Sequence, residues 1–164
     1  MLALTRKTDY ALVAMVALAE ARDEPRSARD LADRLHLPAA ALRNILKDLA
    51  RAGLLESTQG AAGGYGLSKP ACEIALAAIV RAIEGPVRLT PCCSEDTAAG
   101  DDGCRREDSC RIKAVVRGLN DRLADFFAQT TLADLAQASL APAAARDRVS
   151  HRVISLTPVG SASS

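Results

Sequence analysis

Apolar residues return every three or four positions through most of the chain, the period of helices buried along one side. Thr5 to about Ala21 reads as a first helix, with Leu4, Ala11, Met15 and Leu18 on its core-facing stripe. Ser27, with Asp30 three residues on, predicts the N-cap of a short second helix holding Leu31 and Leu35. The turn His36-Leu37-Pro38 then places a proline where a third helix can begin, and Leu42, Ile45, Leu46 and Leu49 form its buried face. Gly53 ends that helix as a left-handed cap.

The period changes next. Leu54-Leu55 starts a short strand, Gln59-Gly60-Ala61-Ala62-Gly63-Gly64 is a glycine-rich turn, and Tyr65-Gly66-Leu67-Ser68 is the returning strand. Ile74 to about Ile83 predicts another apolar helix, closed by Gly85-Pro86, with Cys72 near its start as a small buried residue. Ile112, Val115, Val116, Leu119, Leu123, Phe126 and Phe127 then sit three and four apart over about four turns, a stripe long enough to pack against its twin in a homodimer. Thr131 to Leu135 reads as a short capping helix, and Ala141 to Ser164 as a loose tail rich in Ala, Pro and Ser.

A helix, a turn, a second helix and a hairpin in this order predict a mainly α fold, a winged helix-turn-helix followed by a long C-terminal dimerisation helix. Composition agrees: there are 33 alanines and aromatic residues make up 2%, so the core is built from aliphatic side chains on closely packed helices, which excludes an all-β sandwich or barrel. The formal net charge of +1 announces no global basic field, so a nucleic-acid partner has to be read locally. On the third helix Arg43, Lys47 and Arg51 recur every fourth residue as a basic stripe beside Asn44. That helix would enter a major groove, with Gln59, Gly60 and Tyr65 of the wing against the DNA backbone or minor groove. Such a stripe alone is usually a solvated face; the order of the elements gives it meaning.

No run of 18 apolar residues is present, so no membrane span is expected. Arg6 and Lys7 followed by the apolar stretch Ala11 to Ala19 imitate a signal peptide, but Asp9 and Tyr10 interrupt the imitation, and the expected location is the cytoplasm. Thiols there more often bind metal or respond to redox chemistry than staple a fold. Cys92, Cys93, Cys104 and Cys110 fall within nineteen residues that carry six acids and almost no aliphatic side chain, the profile of a loop ordered by something other than a core. Zinc sites favour C-x2-C knuckles, which are absent; an iron–sulfur cluster tolerates wider spacing and ranks first, zinc second and a reversible disulfide third. Adjacent Cys92 and Cys93 are poorly shaped to serve one cluster together.

Leu4-Thr5-Arg6-Lys7-Thr8-Asp9-Tyr10-Ala11, Gly53-Leu54-Leu55 leading into Gly60-Ala61-Ala62-Gly63-Gly64-Tyr65, Ala82-Ile83-Glu84-Gly85-Pro86 and the cysteine loop together resemble the Rrf2 family of bacterial transcription regulators, from Leu2 to about Ala136. The segment Glu84 to Thr90 looks most like the branch that controls SUF-type iron–sulfur assembly genes. The resemblance implies a winged-helix homodimer on a double-stranded DNA operator, holding a [2Fe-2S] or [4Fe-4S] cluster whose state sets DNA affinity. It places cluster thiolates at Cys92 or Cys93, Cys104 and Cys110, base-reading positions at Ala40, Arg43 and Asn44, and a partner-subunit carboxylate ligand at Asp9, which read by itself is equally a helix N-terminal charge. Lys113 stands where the ISC-regulating branch has a ligand histidine, and Gln59 where the wing usually has a minor-groove arginine.

The expected organisation is a DNA-binding domain over residues 1–70, a connecting helix over 71–91, a cluster-binding loop over 92–110, a dimerisation helix and cap over 111–140, and a tail over 141–164. Catalysis and a small-molecule substrate are not expected: His36 and His151 lie far in sequence from the cysteines, and neither a phosphate loop nor a Ser/His/Asp order is present. The alternative is a cluster-free winged-helix regulator that senses oxidants by thiol–disulfide chemistry.

Overall fold

Capping residues set the boundaries of the amino-terminal helices. In the computed structural model, which describes residues 4–21, 24–60, 63–89 and 110–140, helix α1 spans Arg6–Glu20 and the Thr5 hydroxyl accepts the Thr8 amide at 3.4 Å. Ala11, Ala14, Met15 and Leu18 are buried along its inner side. Leu4, expected on that stripe, is exposed instead: it precedes the cap, where the helical register does not apply. Helix α2, Ala28–Leu35, is capped by Ser27, whose hydroxyl accepts the Asp30 amide at 3.1 Å, and ends at His36 in the left-handed conformation.

Helix α3, Ala39–Arg51, follows Pro38 and buries Leu42, Ile45, Leu46 and Leu49, the face its spacing predicts. It stops in a Schellman motif: with Gly53 at φ 73°, the Leu54 amide reaches Leu49 O and the Gly53 amide reaches Ala50 O, both at 3.0 Å. Strands β1, Leu55–Thr58, and β2, Gly64–Leu67, pair antiparallel with Leu55 opposite Leu67 and Thr58 opposite Gly64. Arg26, between α1 and α2, adds a two-way backbone bridge to Tyr65, with bonds of 3.0 and 2.8 Å.

A 3-10 turn, Ala71–Glu73, precedes helix α4, Leu76–Glu84, which therefore starts later than expected from Ile74. The displaced residues serve another purpose. Ala75 bridges Thr131, with Leu76 N–H on Thr130 O and Leu132 N–H on Ile74 O, each at 2.8 Å. Cys72, expected to be buried, is exposed on this turn. Gly85, at φ 85°, closes α4. Helix α5, Lys113–Gln129, and helix α6, Leu132–Leu140, complete the described residues. Leu132 is fully buried in the same apolar cluster as Ala11, Met15 and Leu46, so α6 contributes to the core and runs longer than a cap over Thr131 to Leu135.

Candidate nucleic-acid interface and cysteine segment

The outer face of α3 is built by elimination. With Leu42, Ile45, Leu46 and Leu49 buried, Ala40, Arg43, Asn44 and Lys47 are left exposed together on the solvent side. Among the described residues neither Arg43 nor Lys47 forms an ion pair, so both guanidinium and ammonium face water. Arg51, the third member of the predicted stripe, differs: its Nη1 lies 2.9 Å from Asp48 Oδ1. Asp48 Oδ2 also accepts Lys7 Nζ of α1 at 2.8 Å. The hydrogen bond from Lys7 is the main reason the Asp48 carboxyl titrates below the usual aspartate value; partial burial opposes it, and the charges of Lys7 and Arg51 add to it.

The wing is fixed by the protein's own backbone. Gln59 and Gly60 are exposed at the turn, and Gly60 has φ 118°. A Cβ on Gly63 would sit 2.2 Å from Thr58 O, and one on Gly64 2.5 Å from Arg26 C and O. These two glycines are thus required by strand pairing, a reason for the glycine-rich tip that lies inside the fold. Tyr65 is half-buried against the core cluster. Ser68 Oγ donates to Gly53 O at 2.6 Å, which ties the end of the wing to the end of α3.

The cysteine segment is framed at both ends by α5. Cys110 is a half-buried free thiol whose carbonyl accepts the Lys113 amide at 3.4 Å at the start of that helix. The run after Gly85 returns to the same helix, where Leu89 N–H donates to Oδ1 of buried Asn120 at 3.1 Å. Cys92, Cys93 and Cys104 lie outside the described residues. Among the described residues no cluster of His, Cys, Asp or Glu is arranged to hold a metal ion. Asp9 is exposed in the first turn of α1.

Glu84, the last residue of α4, was not anticipated as a contact. Its Oε1 accepts the Thr5 amide at 3.2 Å and the hydroxyls of Thr5 and Thr8, which fastens the start of α1 to the point where the chain leaves for the cysteines. Those bonds, from Thr5 first and then Thr8, hold the Glu84 carboxyl below its ordinary range against some desolvation. On α5, Ile112, Val115 and Leu119 are exposed, while Val116, Leu123, Phe126 and Phe127 are half-buried. No helix among the described residues is long and apolar enough to cross a membrane.

A recognition helix that exposes Arg43 and Lys47 without ion-pair partners among the described residues, tied to a two-stranded wing, defines a winged helix-turn-helix DNA-binding transcriptional regulator. The chain belongs to the Rrf2 family, whose model, described as an iron-dependent transcriptional regulator, matches residues 4–138. It is 37% identical over 116 residues to an rrf2-like HTH-type transcriptional regulator of Rhodobacter capsulatus, covering 68% of this chain and 77% of that one. It is 33% identical over 133 residues to the HTH-type transcriptional regulator IscR of Serratia proteamaculans, covering 80% and 77% respectively. The fold is similar to that of CymR, the global cysteine regulator of B. subtilis, with a TM-score of 0.65 and 28% identity over 84% of this chain and 98% of that one.

Proposed function

We propose that the protein is a cytoplasmic homodimer that binds an operator through Ala40, Arg43, Asn44, Lys47 and the wing residues Gln59, Gly60 and Tyr65. It adjusts that binding to iron–sulfur or redox status through Cys92 or Cys93, Cys104 and Cys110, and controls iron–sulfur assembly genes. The observation that carries this reading is the rooting of both ends of the cysteine segment on α5, through Leu89 on Asn120 and Cys110 on Lys113. The exposed Ile112, Val115 and Leu119 of that helix are the seam offered to a second copy. Any change in the segment then reaches the element that sets the spacing of two recognition helices.

The donor set suits an iron–sulfur cluster: soft thiolates in a segment without its own core, of which Cys110 is half-buried beside α5. When bound, such a cluster would supply a cross-link among these thiolates that is sensitive to oxidants and to ligands that bind iron. Asp9 is the carboxylate available as a further, weaker ligand from the partner's α1. A coupling of about 1–3 kcal/mol between the segment and the DNA face changes occupancy roughly 5- to 150-fold.

The test is anaerobic purification followed by visible absorption and iron and sulfide analysis. Broad visible absorption with iron bound, lost in Cys104→Ser and Cys110→Ser, is the expected result. A colourless protein whose DNA affinity changes on reversible disulfide formation assigns the cluster-free reading.

A further inference from the structure

Asp48 sits on the DNA-facing helix and holds two cations at once, Lys7 of α1 at 2.8 Å and Arg51 of α3 at 2.9 Å. An acid beside a basic stripe weakens attraction to phosphate, so its presence there needs a reason. Arg51 continues the line of Arg43 and Lys47, one helical turn after Lys47, and its side chain is 75% exposed. The Asp48 side chain is 24% exposed, and Lys7, arriving from another helix, keeps its carboxylate in position beside Arg51. Lys7 belongs to the turn of α1 that Glu84 fastens through Thr5 and Thr8, so the arrangement is set by packing among three helices.

We propose that Asp48 is a specificity-determining residue that withholds Arg51 from DNA of unrelated sequence. Phosphate attraction is indifferent to sequence, and each cation that reaches a phosphate strengthens binding everywhere along a duplex. A cation already paired within the protein is drawn off only by a phosphate that lies in the right place, and the operator register supplies that placement through the base contacts of α3. Random DNA does not hold the helix long enough in one register to compete. Asp48 thereby lowers background binding more than operator binding. The inference rests on the DNA binding of the family and is independent of whether the cysteines hold a cluster.

The experiment uses the full chain, an operator recovered by in vitro selection, and a duplex of unrelated sequence and equal length. Asp48→Asn is expected to tighten binding to the unrelated duplex roughly three- to tenfold and to steepen its dependence of log affinity on log salt by about one. The operator gains less, so the ratio between the two falls. In the Asp48→Asn background, Arg51→Gln removes the gain and restores the salt slope, whereas in the wild-type background it weakens unrelated-duplex binding far less. Additive effects of the two substitutions, or no gain in Asp48→Asn, overturn the proposal. If Asp48→Asn does not fold, Arg51→Gln alone decides: an unchanged salt slope on the unrelated duplex supports the withheld cation, and a slope shallower by about one overturns it. Failure of the wild-type chain to bind any duplex would instead sink the functional reading itself.

Discussion

Arg26 and Tyr65 exchange both of their backbone hydrogen bonds, at 3.0 and 2.8 Å, and so make a third, one-residue strand beside the wing. This close approach leaves no room for a side chain on Gly64, where a Cβ would lie 2.5 Å from Arg26 C and O. Gly66, on the same strand, would meet nothing within 4 Å.

Two alanine substitutions two residues apart are thus expected to differ. Gly64→Ala forces the strand away from Arg26 and should cost about 1–3 kcal/mol. Gly66→Ala should be neutral or stabilise by up to about 1 kcal/mol, because it restricts the unfolded chain without a native clash. Urea denaturation of both variants checks the contrast; equal losses would show that the Arg26 bridge does not constrain the wing.

The local signals were legible in the sequence, and the long-range ones were not. Ser27 and Asp30, Leu42 to Leu49, and Gly53 each act within one or two turns, so spacing alone located α2, α3 and its cap. Glu84 on Thr5 and Thr8, Lys7 on Asp48, and Arg26 on Tyr65 join residues between 39 and 79 positions apart, and nothing near any of them in the chain advertises the partner. Leu4 is exposed because it lies just outside the helix whose period would bury it, whereas Cys72, a small thiol expected in the core, falls on the exposed 3-10 turn ahead of α4. The stripe on α3 was visible as three equal cations, and only the fold distinguishes Arg51, held by Asp48, from Arg43 and Lys47.

The Glu84 contacts carry a pH signature. Its folded pKa is depressed below the ordinary 4.5, so the stability it contributes is complete above that value and is lost as pH falls through the lower folded value. Glu84→Gln keeps the shape and removes the charge. Wild type should therefore exceed Glu84→Gln in urea midpoint by a constant margin at neutral pH, and the margin should close on acidification below about pH 4.5. A margin independent of pH would mean that the threonine hydroxyls bond no better to the carboxylate than to the amide.

On α5, Val115 and Leu119 are 65% and 53% exposed, which is unusual for large aliphatic residues one turn apart. Replacing both with Asp removes no contact with the rest of the subunit's core, so the chain should still fold. Charges at a helix seam are desolvated without partners, and the double variant should be monomeric by light scattering while keeping its helical circular dichroism. A folded dimer of this variant would move the seam to another face.

Arg43 and Lys47 are both exposed and unpaired among the described residues, yet different roles are expected of them. A guanidinium can form two parallel hydrogen bonds to the O6 and N7 of one guanine, whereas an ammonium acts mainly as a point charge toward phosphate. Arg43→Ala should therefore weaken operator binding by about 1–3 kcal/mol and leave binding to unrelated sequence less affected. Lys47→Ala should weaken both alike and make the salt dependence shallower by about one. Arg43→Lys separates geometry from charge, since it keeps the cation but not the planar fork; it should fail to restore operator binding. Anisotropy titrations of the three variants on both duplexes check this, and equal losses on both for Arg43→Ala would reduce Arg43 to a phosphate contact and leave base reading to Ala40 and Asn44.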